Sequence, residues 1–116
     1  MATDRKYKVA IASTDRENVD LHFGKCECFT IVEVDGASGN WRVVEERPVL
    51  ALCSAGDTDE TMDAAADALS DCTFAVVSRI GRWPYAALYA RGIESIEFRG
   101  PIADAMNSLC TRPKQH

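Results

Sequence analysis

Two stretches of this chain, "YKVAIAS" (7–13) and "FAVVS" (74–78), are apolar at nearly every position. Successive side chains of a strand point to opposite faces, so a strand with one wet face alternates apolar and polar residues. A run without that alternation reads as a buried central strand of a sheet whose faces are covered. "CFTIVEV" (28–34), rich in β-branched and aromatic residues, and "WRVVEERPV" (41–49), ending near Pro48, read as two more strands. "DGASGN" (35–40) between them is turn chemistry, so they form a hairpin. "ESIEF" (94–98) is a short fifth strand.

The period changes in "DTDETMDAAADALSD" (57–71), where Met62, Ala65, Ala66 and Leu69 fall on one helical face and the acidic run 57–60 suits the helix start. Pro84 suits the first turn of a second helix, 83–91, which Gly92 ends. "PIADAMNSLC" (101–110) is a third. The order βββαβαβα predicts an α/β fold: a mixed five-stranded sheet flanked by helices. Two antiparallel steps and two right-handed crossovers bring the carboxyl ends of strands one, three, four and five to one edge. Ligands of open α/β sheets favour such an edge.

The length of 116 residues predicts one domain, with 1–5 and 111–116 as flexible tails. A net charge of −5 argues against a nucleic-acid partner. "MATDRKYKVAIAS" is apolar over too short a run for a leader or a membrane span, so a soluble cytoplasmic protein is expected. Five cysteines in that setting read as thiols or ligands rather than a disulfide framework.

The predicted edge gathers His22, Gly24, Lys25 and Cys26 after strand one and Cys53 after strand three. Arg79, Gly81 and Arg82 follow strand four, and Arg99 follows strand five. Cys72 falls on the opposite edge, and Cys110 ends the last helix. "VDLHFGKCECF" (19–29) makes His22, Cys26 and Cys28 candidate metal ligands. Imidazole suits iron, zinc and copper, and thiolates suit iron–sulfur clusters and soft ions. His-x3-Cys-x-Cys lacks paired CxxC knuckles, so it is no zinc signature, and a fourth ligand would be Cys53 or exogenous. Plainer readings stand beside these: a turn histidine, and cysteines that pack as small hydrophobes. Arg79 and Arg82, with Gly81 leaving the backbone approachable ahead of a helix, could hold an anion, or be ordinary solvated arginines. Trp41 and Trp83 read as packing residues. Asp15, Glu17 and Asp20 lie in one loop and do not make a rigid two-metal site, and no catalytic constellation emerges.

"VAIAS…VDLHFGKCECFTIVEVD", followed by Cys53, "LSDC" (69–72), "RIG" (79–81) and "RGI" (91–93), resembles the dinitrogenase iron–molybdenum cofactor biosynthesis family of NifX, NafY-core and NifB C-terminal domains. The resemblance implies a ribonuclease-H-like fold that is not an enzyme. It implies a carrier that transiently binds an iron–sulfur or iron–molybdenum cluster through the HFG turn: His22 above all, with Phe23 and Gly24. Cofactor-assembly proteins or apo-nitrogenase are the implied partners, and a monomer or weak dimer the expected state. Many members have alanine in place of Cys26 and a larger or polar residue in place of Cys28. The radical-SAM domain of full-length NifB does not occur in this chain. A cluster carrier outside nitrogen fixation, or a thiol–disulfide protein using Cys26-x-Cys28, are the competing expectations.

Overall fold

The two apolar runs lie side by side at the heart of the sheet. The computed structural model of the chain describes residues 6–26, 28–36, 39–49 and 59–111. Its strands are β1 (Lys6–Ile11), β2 (Asn18–Val19), β3 (Cys28–Asp35), β4 (Trp41–Pro48), β5 (Phe74–Val77), β6 (Glu94–Glu97) and β7 (Gly100–Pro101). Its helices are α1 (Asp59–Ala68), α2 (Arg82–Ala90) and α3 (Ile102–Thr111), and one 3-10 turn covers Phe23–Lys25.

The main sheet runs β4-β3-β1-β5-β6. β1 is antiparallel to β3 and parallel to β5, β3 is antiparallel to β4, and β5 is parallel to β6. This is a mixed five-stranded α/β sheet, and β1, β4, β5 and β6 end on the same edge. Two features depart from the expected element order. β2 and β7 pair as a separate small antiparallel sheet, Asn18 with Pro101 and Val19 with Gly100. β4 carries Val44 as an extra residue, because Ile31 pairs Glu45 while Val32 pairs Val43.

The continuity of the apolar runs has a direct cause. Ala10 and Ala12 of the first run face one core with Phe29, Ile31, Ala75 and Val77, covered by Ala65, Ala66 and Leu69 of the α1 segment and Ala87 and Leu88 of α2. Val9 and Ile11 face the other core with Val32, Val34 and Val76, covered by Ile102, Ala105, Met106 and Leu109 of α3. β1 therefore has no wet face, and its alternation is lost. Gly92, at φ 79°, ends α2 in the left-handed conformation a glycine adopts freely, with its N–H on the Tyr89 carbonyl. Pro84, third in α2, lies in its first turn as expected, whereas Pro101 belongs to β7 rather than to the last helix.

Candidate functional site

The chain leaving β1 turns back through residues 13–20, and short-range hydrogen bonds shape that loop. The Asp15 carboxylate accepts the N–H groups of Glu17 and Asn18, both at 2.9 Å, which lowers its pKa to about 2. Asp20 accepts the Thr14 N–H at 2.9 Å and its hydroxyl at 2.6 Å. Both carboxylates are consumed in building the turn.

The HFG turn follows. The Asp20 and Leu21 N–H groups donate to the Ala12 carbonyl, Ser78 N–H to Leu21 O at 2.9 Å, and Phe23 N–H to Arg79 O at 2.9 Å. The segment is extended at His22, φ −74° and ψ 153°, so alternate side chains face opposite ways. Leu21 packs against the core and Phe23 is buried in it, its ring 5.6 Å from that of Phe29. His22, between them, is left exposed, and it forms a parallel backbone bridge with Arg79. Arg79, Arg82 and Arg99 are exposed, and none has an ion pair or side-chain hydrogen bond among the described residues. A Cβ at Gly24 would touch nothing within 4 Å, and one at Gly81 would meet only Pro84 ring carbons at 3.7 and 3.8 Å. Internal packing therefore does not require either glycine, and their bare backbone faces outward.

The cysteines depart from the sequence-based placement. Cys26 is not a donor at the edge: its side chain is fully buried beside Phe23 and Phe29, and its thiol donates to the Cys28 carbonyl at 3.2 Å. Burial pushes the Cys26 thiol up to about 12, whereas a metal ligand or redox nucleophile acts as thiolate. This environment disfavours a Cys26-x-Cys28 redox pair. Cys28 begins β3, half-buried, its Sγ 3.8 Å from Glu46 Oε1. Among the described residues no three His, Cys, Asp or Glu side chains converge as a metal site, so His22, Cys26 and Cys28 are not gathered into one. Cys72 lies on the opposite edge, just before β5, as expected; it too is buried, and burial raises its thiol to about 12, so burial does not separate it from Cys26. Cys53 and the Lys25 side chain lie outside the described residues.

Two further features of this edge escaped the pattern reading. Trp83 is no packing residue: it is 61% exposed on α2, whereas Trp41 packs against the second core. Glu97, at the end of β6, accepts the Ile80 N–H at 2.9 Å. Its signal in sequence was only a carboxylate at a predicted strand end.

No helix among the described residues is long and apolar enough to cross a membrane. The family described as "Dinitrogenase iron-molybdenum cofactor" matches residues 5–112. The FeMo cofactor biosynthesis protein NifB of Frankia alni is 35% identical over 109 residues, 90% of this chain and 21% of that protein. NifB of Herbaspirillum seropedicae is 32% identical over 90 residues, 77% of this chain and 17% of that protein. The chain thus spans about a fifth of the length of these relatives. Among solved structures, the fold is similar to PH0822 (TM-score 0.67, 24% identity, 89% of both chains). It is also similar to the apo form of the orange protein from Desulfovibrio gigas (TM-score 0.64, 19% identity, 92% of this chain and 90% of that one).

Proposed function

The chain belongs to the dinitrogenase iron–molybdenum cofactor family, and from that premise we propose that it binds, stores or hands on an anionic iron–sulfur or iron–molybdenum cluster during nitrogenase cofactor assembly, without catalysing a reaction of its own. One observation carries the reading: the backbone bridge that sets His22 beside Arg79, both exposed, at the edge where four strands end. A neutral imidazole donates a nitrogen to a metal. A guanidinium offers a planar fork of donors to sulfide or carboxylate groups on the same cargo. One protein nitrogen and a few charge contacts leave most of the cluster's coordination open, which suits a protein that receives and releases it intact. The NifB relatives bear the name of the same biosynthetic process, which supports placing this domain there. Cofactor-assembly proteins or apo-nitrogenase would be the donor and acceptor.

The test is anaerobic titration of wild type and His22→Ala with isolated iron–molybdenum cofactor. Affinity should fall while thermal stability stays the same, because an exposed side chain contributes little to packing. Wild-type affinity in the variant would overturn the assignment of His22.

A further inference from the structure

We infer that Glu97 is a resident anion at the cargo edge, occupying a donor that the cargo takes over when it binds. The inference rests on the anionic-cargo reading above and deepens it by naming what sets selectivity at that site.

Residues 78–81 are strung between two holds. On one side the HFG turn grips them, through Ser78 N–H to Leu21 O and Phe23 N–H to Arg79 O. On the other, the Ile80 N–H donates to Glu97 Oε2 at 2.9 Å. The first hold is backbone to backbone and permanent. The second is an exposed side chain at the end of the edge strand β6, free to swing into solvent.

The local charge gives that carboxylate its meaning. Residues 79–91 hold three arginines and no acidic residue. The Arg91 guanidinium is engaged by Asp67 at 2.7 Å, whereas the side chains of Arg79 and Arg82 have no hydrogen-bond or ion-pair partner among the described residues. α2 has no acid in its first turn, and its N-cap Gly81 supplies no side-chain cap. Glu97 is thus a carboxylate supplied from a different strand to a cationic segment that has none of its own. A neutral amide would serve equally as acceptor for one N–H. A carboxylate adds a negative charge at Ile80, within the segment that carries the two arginines on which an anionic cargo relies.

The consequence is selectivity. A weak monovalent anion gains too little from the arginines to displace Glu97. A multiply charged cargo that meets Arg79 and Arg82 together does displace it, taking the Ile80 N–H as Glu97 turns outward. Negative charge at the edge is exchanged, and no covalent step is involved.

Tetrathiomolybdate, a molybdenum–sulfide dianion, is the probe. Wild type, Glu97→Gln and Arg79→Ala are titrated with it at low salt, and the Ile80 amide is followed by NMR. Glu97→Gln keeps an acceptor for the N–H, so the loop remains tied. It should bind about fivefold tighter, the size of one exposed charge interaction, and the Ile80 amide should shift on binding in wild type. A merely structural tie would leave affinity unchanged or lower it. Unchanged or weaker binding in Glu97→Gln, with Arg79→Ala also weakened, would overturn the placeholder and leave the cargo reading standing. No binding in any of the three proteins would remove the anionic-cargo reading and the placeholder together.

Discussion

His22 and Arg79 stand side by side across a parallel backbone bridge, held by the Phe23 N–H on the Arg79 carbonyl at 2.9 Å. The turn that carries the imidazole is thereby fastened to the end of β5, a strand buried within the sheet. An exposed side chain on a rigid base can hold a ligand without first being ordered, which lowers the entropic cost of binding.

If the two residues meet one cargo, their losses should differ in kind. Arg79→Ala should weaken binding of an anionic cluster about tenfold at low salt, or ~1.4 kcal/mol, and by less at high salt because exposed charges are screened. His22→Ala should cost affinity equally at both, since a metal–nitrogen bond is not screened. Cofactor titrations of each variant at two salt concentrations check this. A salt-independent Arg79 effect would remove the charge contact.

Phe23 fastens the turn from below. It is 1% exposed and packs against Phe29. Phe23→Ala should destabilise the protein by about 3–5 kcal/mol, as truncation of a buried aromatic does. Denaturant unfolding measures it. A loss of about 0.5 kcal/mol or less, the level of a surface change, would mean that the turn is not anchored through this ring.

Acid sensitivity should centre on Arg47 and Asp71. Arg47 donates to Asp71 at 2.6 and 3.1 Å, to Glu45 at 2.9 and 3.2 Å, and to the Ala68 carbonyl at 3.1 Å. The guanidinium holds the Asp71 carboxyl at about 2. The folded value lies below the unfolded one of ~3.9, so this stabilisation is complete above that pH and is lost as pH falls through the folded value. Asp71 is 46% exposed, so solvent screening limits the effect. Arg47→Met should cost about 1–2 kcal/mol at neutral pH, with the gap to wild type closing between about pH 4 and 2. Thermal melts across that range test it, and a gap that persists at pH 2 would assign the effect of Arg47 to packing.

Thiol labelling should separate the described cysteines. Cys26 and Cys72 are buried, with thiols raised to about 12, while Cys28 is half-buried. Iodoacetamide at mild alkaline pH should reach Cys28 first, and reach Cys26 and Cys72 only on unfolding. Site-resolved mass spectrometry reads the order. Cys26 alkylated as fast as Cys28 would mean that the turn opens in the native state.

Much of the architecture was legible because its causes are local. "YKVAIAS" and "FAVVS" lack alternation because both faces of β1 and β5 are covered. Ala65, Ala66 and Leu69 share the buried face that their spacing predicts. Strand polarity follows from the hairpin and the crossovers, and it brings His22 and Arg79 to the same edge. The bridge between them extends a strand order that spacing alone implied.

Periods of two and 3.6 say which face of an element a residue occupies, but not how irregular backbone aims a side chain. The 3-10 turn at Phe23–Lys25 decides that Cys26 enters the core while His22 stays outside. The β2–β7 pair depends on contacts between the loop after β1 and the start of α3, which no local pattern records. Trp83 is exposed because Ala87 and Leu88, not Trp83, turn toward the sheet. Glu97 reaches Ile80 only because β5 and β6 lie parallel and adjacent. Periodicity is a property of neighbours along the chain, and it determined the sheet, the helices and the shared edge; the aim of Cys26, Trp83 and Glu97 is set by neighbours in space, and only the tertiary packing decided it.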